Sequence, residues 1–100
     1  MKILLICAVG MSTSLIVKKM QEIAPEGIQI KADASSNLNE IIDGYDVVLI
    51  GPQIRFRETQ IREIAKDKNI AVGLIEPIWY GRLMVKEILE YALDLGKERG

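Results

Sequence analysis

A chain of 100 residues, 49% apolar and 27% charged with a formal net charge of −1, has the composition of one globular domain (residues 1–100) able to bury a core unaided. The near-neutral balance gives no basis for a nucleic-acid or anionic-membrane partner, and no apolar stretch approaches the ~20 residues that cross a bilayer. One cysteine and no histidine exclude an internal disulfide, a Ser-His or Cys-His pair, a histidine metal centre and a phosphohistidine on this chain, so no metal or cofactor is expected and a reducing compartment is.

Ile3 to Cys7 is a continuous apolar run, as in a strand buried on both faces. Met1-Lys2 and the residues after it imitate a secretory signal, but the run is at the short limit and Ile6 is too bulky for a lipoprotein cleavage site. Removing it would also delete the first strand of a regular pattern. Ser12, Thr13 or Ser14 is expected to cap the next helix, where Ile16, Met20 and Ile23 recur at helical spacing until Pro25 and Gly27. Ile28, Ile30, Ala32 and Ala34 alternate with polar residues, which predicts an edge strand. Ser35-Ser36-Asn37 reads as a turn and cap, Leu38 to Ile42 as a short helix ended by Gly44, and Asp46 to Ile50 as a second central strand. Gly51-Pro52-Gln53 follows it, then a charged helix over Ile54 to Lys66, a strand over Asn69 to Ile75, a loop holding Trp79-Tyr80-Gly81, and a last helix from Arg82 to about Leu95.

This βαβαβαβα alternation with short connections predicts an α/β fold of three layers: a four-stranded parallel sheet with helices on both faces. Placing the two most apolar strands centrally and the alternating one at an edge gives the order 2-1-3-4. The topological switch point then falls between strands 1 and 3, where open α/β sheets bind ligands beyond their carboxyl ends. Cys7 and Gly51-Pro52-Gln53 both map there.

Cys7 opens the run Cys7-Ala8-Val9-Gly10-Met11-Ser12-Thr13-Ser14. Backbone N–H groups of such a turn converge on one spot, and the helix N-terminus adds partial positive charge, so the loop is suited to a phosphoryl group. The same field is expected to favour thiolate over thiol. Gly-x-x-x-x-Gly-Lys and Gly-x-Gly-x-x-Gly are both absent. The low-molecular-weight tyrosine phosphatase pattern, cysteine plus five residues plus arginine, has the same architecture, but Thr13 stands where that arginine would clamp the transition state. A phosphocysteine formed here should persist.

Cys7 to Leu15 is similar to the phosphorylation loop of the enzyme IIB component of the lactose/cellobiose (chitobiose) class of the bacterial phosphoenolpyruvate-dependent sugar phosphotransferase system. Asp46 to Ile54 resembles that family's third strand and following turn, and Tyr80-Gly81 its tyrosine-glycine pair after strand 4. The resemblance implies a relay. A phosphohistidine of the IIA protein passes its phosphoryl group to Cys7, which passes it to a β-linked disaccharide such as cellobiose, chitobiose or lactose held by the membrane transporter IIC. Ala8, Val9, Gly10, Met11, Ser12, Thr13, Ser14 and Leu15 would form the phosphoryl-binding loop. Pro52, Gln53, Trp79, Tyr80 and Gly81 would frame a docking surface, with Ile54 and Met11 as an apolar patch. A monomer is expected, cytoplasmic and transiently at the inner face of the plasma membrane. The rivals are a phosphohydrolase of the related architecture and a regulatory IIB-like module.

Overall fold

Side chains alternate across a strand, yet Ile3, Leu4, Leu5 and Ile6 are all buried, so this strand needs cover on both faces. The computed structural model, which describes residues 1–7, 11–34 and 37–98, supplies it. The elements are β1 (Lys2–Ile6), α1 (Met11–Ile23), β2 (Gln29–Asp33), α2 (Leu38–Ile41), β3 (Val47–Ile50), a 3-10 turn (Pro52–Arg57), α3 (Glu58–Lys66), β4 (Ala71–Leu74), α4 (Pro77–Gly81) and α5 (Val85–Glu98). The sheet is parallel in the order β2-β1-β3-β4, as the apolar patterning predicts. Among the described residues no helix is long and apolar enough to cross a membrane.

Alternation sorts the core into two layers. Ile3, Leu5, Val47 and Leu49 pack with Ile16 and Met20 of α1 and Ile88, Leu89 and Ala92 of α5. Leu4, Ile6, Val48 and Ile50 pack with Leu38 of α2 and Ile61 and Ala65 of α3. Each such side chain contributes roughly 1.5–3 kcal/mol on removal from water, so β1 and β3 anchor both layers. On β2 only Ile30 is buried, which fits an edge position. β4 forms the other edge. The amides of Ala71 and Ile75 donate to carbonyls of the β3 side, at Asp46 and Ile50. The carbonyl of the intervening Val72 therefore faces outward, where Nη1 of Arg62 donates to it at 3.2 Å.

Three segments and one core assignment differ from the sequence expectation. The helix expected from Ile54 starts at Glu58, because Pro52 opens a 3-10 turn and Ile54 takes a non-helical φ of −122° and ψ of 27°. The Trp79-Tyr80-Gly81 segment is helical rather than a loop, with Pro77 in the first turn of α4, where a missing N–H does no harm. The last helix starts at Val85 instead of Arg82 because Leu83 holds a left-handed φ of 54°. In α1, Ile23 is 47% exposed and Val17 is buried in the core instead. Asn37 stands at the N-cap of α2 without a side-chain cap bond. Ser35 and Ser36 lie outside the described residues.

Candidate functional site

β1 and β3 are neighbours, and their carboxyl ends hold the two motifs that the sequence places at the switch point. Cys7 follows directly on β1. Its N–H donates to the carbonyl of Asp33 at 3.3 Å, and Gly51 N–H donates to the carbonyl of Ile6 at 2.8 Å. These bonds carry the ladder one residue past the strand ends and fix Cα of Cys7. Gly51 is where close approach requires a glycine: a Cβ built there would lie 2.6 Å from Cβ of Cys7 and 3.0 Å from Oε1 of Gln53.

The sulfur faces the first turn of α1. Sγ of Cys7 is 2.9 Å from Oγ1 of Thr13, which is 2.5 Å from the hydroxyl of Tyr80. Thr13 and Tyr80 are buried, and Cys7 itself is 2% exposed. The three groups come from β1, α1 and α4 and meet under the carboxyl edge of the sheet. Ser12, Thr13 and Ser14 lie inside the first turn of α1, which runs from Met11, so the expected capping role gives way for Thr13 to the bond with the sulfur. Ala8, Val9, Gly10 and the side chains of Met11 and Ser12 lie outside the described residues. Ser14 and Leu15 are exposed.

The electrostatics also correct an expectation. Burial pushes the Cys7 thiol above its ordinary value, while hydrogen bonds with Thr13 and Tyr80 pull it down. The net direction is opposite to a sulfur held ionised by the helix end. The Tyr80 phenol is raised too, chiefly by burial. The sign for stability follows. Well below the ordinary thiol value of about 8.5 the sulfur keeps its proton in both states. Between that value and the higher folded one, the unfolded chain binds fewer protons, so stability falls as pH rises. The stability of the wild type relative to Cys7→Ala is expected to decline between about pH 7.5 and about pH 9.5. Denaturant midpoints at the two pH values check this, and a difference that holds steady or grows would contradict it.

The docking residues divide. Gln53 and Gly81 are exposed and Pro52 is half-buried. Ile54 is buried in the α2/α3 layer and is not part of a surface patch. Tyr80 is core, and its hydroxyl serves the sulfur. Trp79 is half-buried, its ring edge-on to Tyr91 with centroids 5.7 Å apart. Besides Leu15, exposed apolar groups near these motifs in the chain are Phe56 (77%) and Ile78 (52%). Both went unremarked in the sequence, where the signal available was an aromatic, Phe56, set between Arg55 and Arg57. A cleft is lined by Pro52, Arg55, Leu74, Ile75, Glu76 and Pro77. Among the described residues no group of three or more His, Cys, Asp or Glu could hold a metal ion.

Comparison with known proteins gives one consistent family. The profile described as "PTS system, Lactose/Cellobiose specific IIB subunit" matches residues 2–92. The oligo-beta-mannoside-specific EIIB component of Bacillus subtilis (strain 168) is 41% identical over 97 residues, covering 94% of each chain. The cellobiose-specific EIIB component of Lactococcus lactis subsp. lactis is 32% identical over 101 residues, covering 93% of this chain and 94% of its own. Among solved structures, the cellobiose-specific phosphotransferase IIB component of Borrelia burgdorferi superposes with a TM-score of 0.81 at 36% identity, over 100% of this chain and 94% of its own.

Proposed function

The chain belongs to the lactose/cellobiose-specific IIB subunits of the phosphotransferase system, and from that premise we propose that Cys7 is its phosphoryl carrier. The sulfur attacks the phosphorus of a phosphohistidine on the IIA protein. An S–P bond forms, the P–N bond breaks, and the departing imidazole takes a proton. In the second step a sugar hydroxyl held by IIC attacks the same phosphorus. An O–P bond forms, the S–P bond breaks, and the hydroxyl proton passes to the departing sulfur, which restores the thiol.

The observation that carries this reading is the placement of the only cysteine at the switch point, with Sγ against the first turn of a 13-residue helix. Unsatisfied amides and the positive end of the helix macrodipole belong at that turn, and both favour a phosphoryl group. The loop from Ala8 to Leu15 would hold its oxygens. The sugar is a β-linked disaccharide, a class consistent with relatives named for oligo-beta-mannoside and cellobiose. Gln53 and Gly81, together with Phe56 and Ile78, offer the surface that IIA and IIC would use in turn. The chain acts as a single cytoplasmic domain and a monomer, meeting IIC at the inner face of the membrane. Thr13 at the position of the phosphatase arginine favours carrier over phosphohydrolase, since nothing there clamps the transition state of hydrolysis.

Intact-mass measurement after incubation with a phosphorylated IIA protein tests the proposal. One phosphoryl adduct is expected on the wild type and none on Cys7→Ser. An adduct that survives in Cys7→Ser would remove Cys7 from the role.

A further inference from the structure

A buried thiol must lose its proton before the sulfur can attack phosphorus, and this chain has no histidine to take it. Among the described residues the side chains acting on the sulfur are Thr13 and Tyr80. Cys7 Sγ, Thr13 Oγ1 and the Tyr80 hydroxyl form an unbroken line, with spacings of 2.9 Å and 2.5 Å. Exposed Gln53 is close by: its Oε1 lies 3.0 Å from where a Cβ on Gly51 would sit, and it bears on the Tyr80 phenol. The line ends at Tyr80, whose neighbour in α4, Gly81, is exposed.

Resting on Cys7 as the phosphoryl acceptor, we propose that Thr13 and Tyr80 are the proton exit of its thiol, and that the same transfer turns both hydroxyls to donate toward the sulfur anion. In the resting state S–H donates to Oγ1 of Thr13, whose O–H donates to the Tyr80 oxygen, whose own O–H points outward. On ionisation the sulfur proton passes to Thr13, the Thr13 proton passes to Tyr80, and the former Tyr80 proton leaves to water beside Gln53. One proton departs and no hydrogen bond is lost. Afterwards Tyr80 donates to Thr13 and Thr13 donates to the sulfur anion, so each oxygen stays satisfied. Tyr80 is bonded to Thr13 and also acts on the sulfur itself. Among the described residues, Asp33 meets Cys7 through its backbone carbonyl and Gly51 through its backbone.

The test is a pH titration of the Cys7 Cβ carbon by NMR in the intact protein. A single cysteine gives a single resonance, and no partner or phosphoryl donor is needed, so the result is independent of whether IIA phosphorylates the chain. Tyr80→Phe keeps the ring and deletes the hydroxyl. It is expected to lower the ionised population about threefold or more at a given pH, read as an upward shift of the midpoint. Thr13→Val is expected to lower it about tenfold or more, and Thr13→Ser to restore the wild-type curve. Tyr80→Phe titrating with the wild type, or below it, would overturn the inference even if Thr13→Val proved too unstable to measure. A Thr13→Ser curve that followed Thr13→Val would do the same.

Discussion

Gly51→Ala is expected to lower stability by about 1–3 kcal/mol and to remove most of the phosphoryl acceptance of Cys7. The new Cβ would meet Cβ of Cys7 at 2.6 Å, well inside van der Waals contact. Neither side can retreat cheaply, because the atom struck is attached directly to the backbone. That backbone is held on one side by Cys7 N–H to Asp33 and on the other by Gly51 N–H to Ile6. Relief must come from parting β1 and β3 at their carboxyl ends, which drags the sulfur away from Thr13. Denaturant unfolding and the intact-mass adduct, measured on the same sample, check both halves. A variant as stable and as readily phosphorylated as the wild type would show that the close approach is not needed.

Cys7→Ser is expected to reduce phosphoryl delivery to sugar by at least about a thousandfold, with stability within about 1 kcal/mol of the wild type. Serine conserves the shape and its hydroxyl can take the place of the thiol beside Thr13. As a nucleophile it is far weaker without an adjacent base, and this chain has no histidine to serve as one. Sugar phosphate formation in membranes containing IIC, with IIA supplied and phosphorylated, is the measurement. It also separates the carrier from a regulatory module: wild-type protein that accepts phosphate yet delivers none to any sugar would favour the module.

The sheet was legible because its signals are local. Ile3 to Ile6 and Val47 to Ile50 are apolar at every position, while Ile28 to Ala34 alternates, and those patterns alone rank strands from centre to edge. What could not be read depends on contacts far apart in the chain. Tyr80 looks like a surface aromatic in sequence, but it is buried by pairing with Thr13 across 67 positions. Ser12 to Ser14 look like caps because hydroxyls before a helix usually are. The helix begins at Met11, and that turns Thr13 toward the sulfur. The charged stretch after Gln53 has helical composition throughout, yet the burial of Ile54 against the sheet breaks its first turn. The direction of the thiol shift was missed for the same reason. The field of a helix end is visible in a motif, whereas the depth of the sulfur is set by α1 and α4 closing over it.

The bond from Arg62 to the carbonyl of Val72 bears on how the protein behaves in a crowd. An open strand edge is a template for another chain, and β4, with the sequence Ala71-Val72-Gly73-Leu74, has no charge of its own to discourage lateral growth. The guanidinium is borrowed from the neighbouring helix, where Glu58 holds it by a 2.7 Å ion pair, and it occupies the acceptor that an incoming strand would need. The far edge solves the same problem with its own Lys31 and Asp33, both exposed. Both margins of the sheet thus carry charge that discourages another strand from adding.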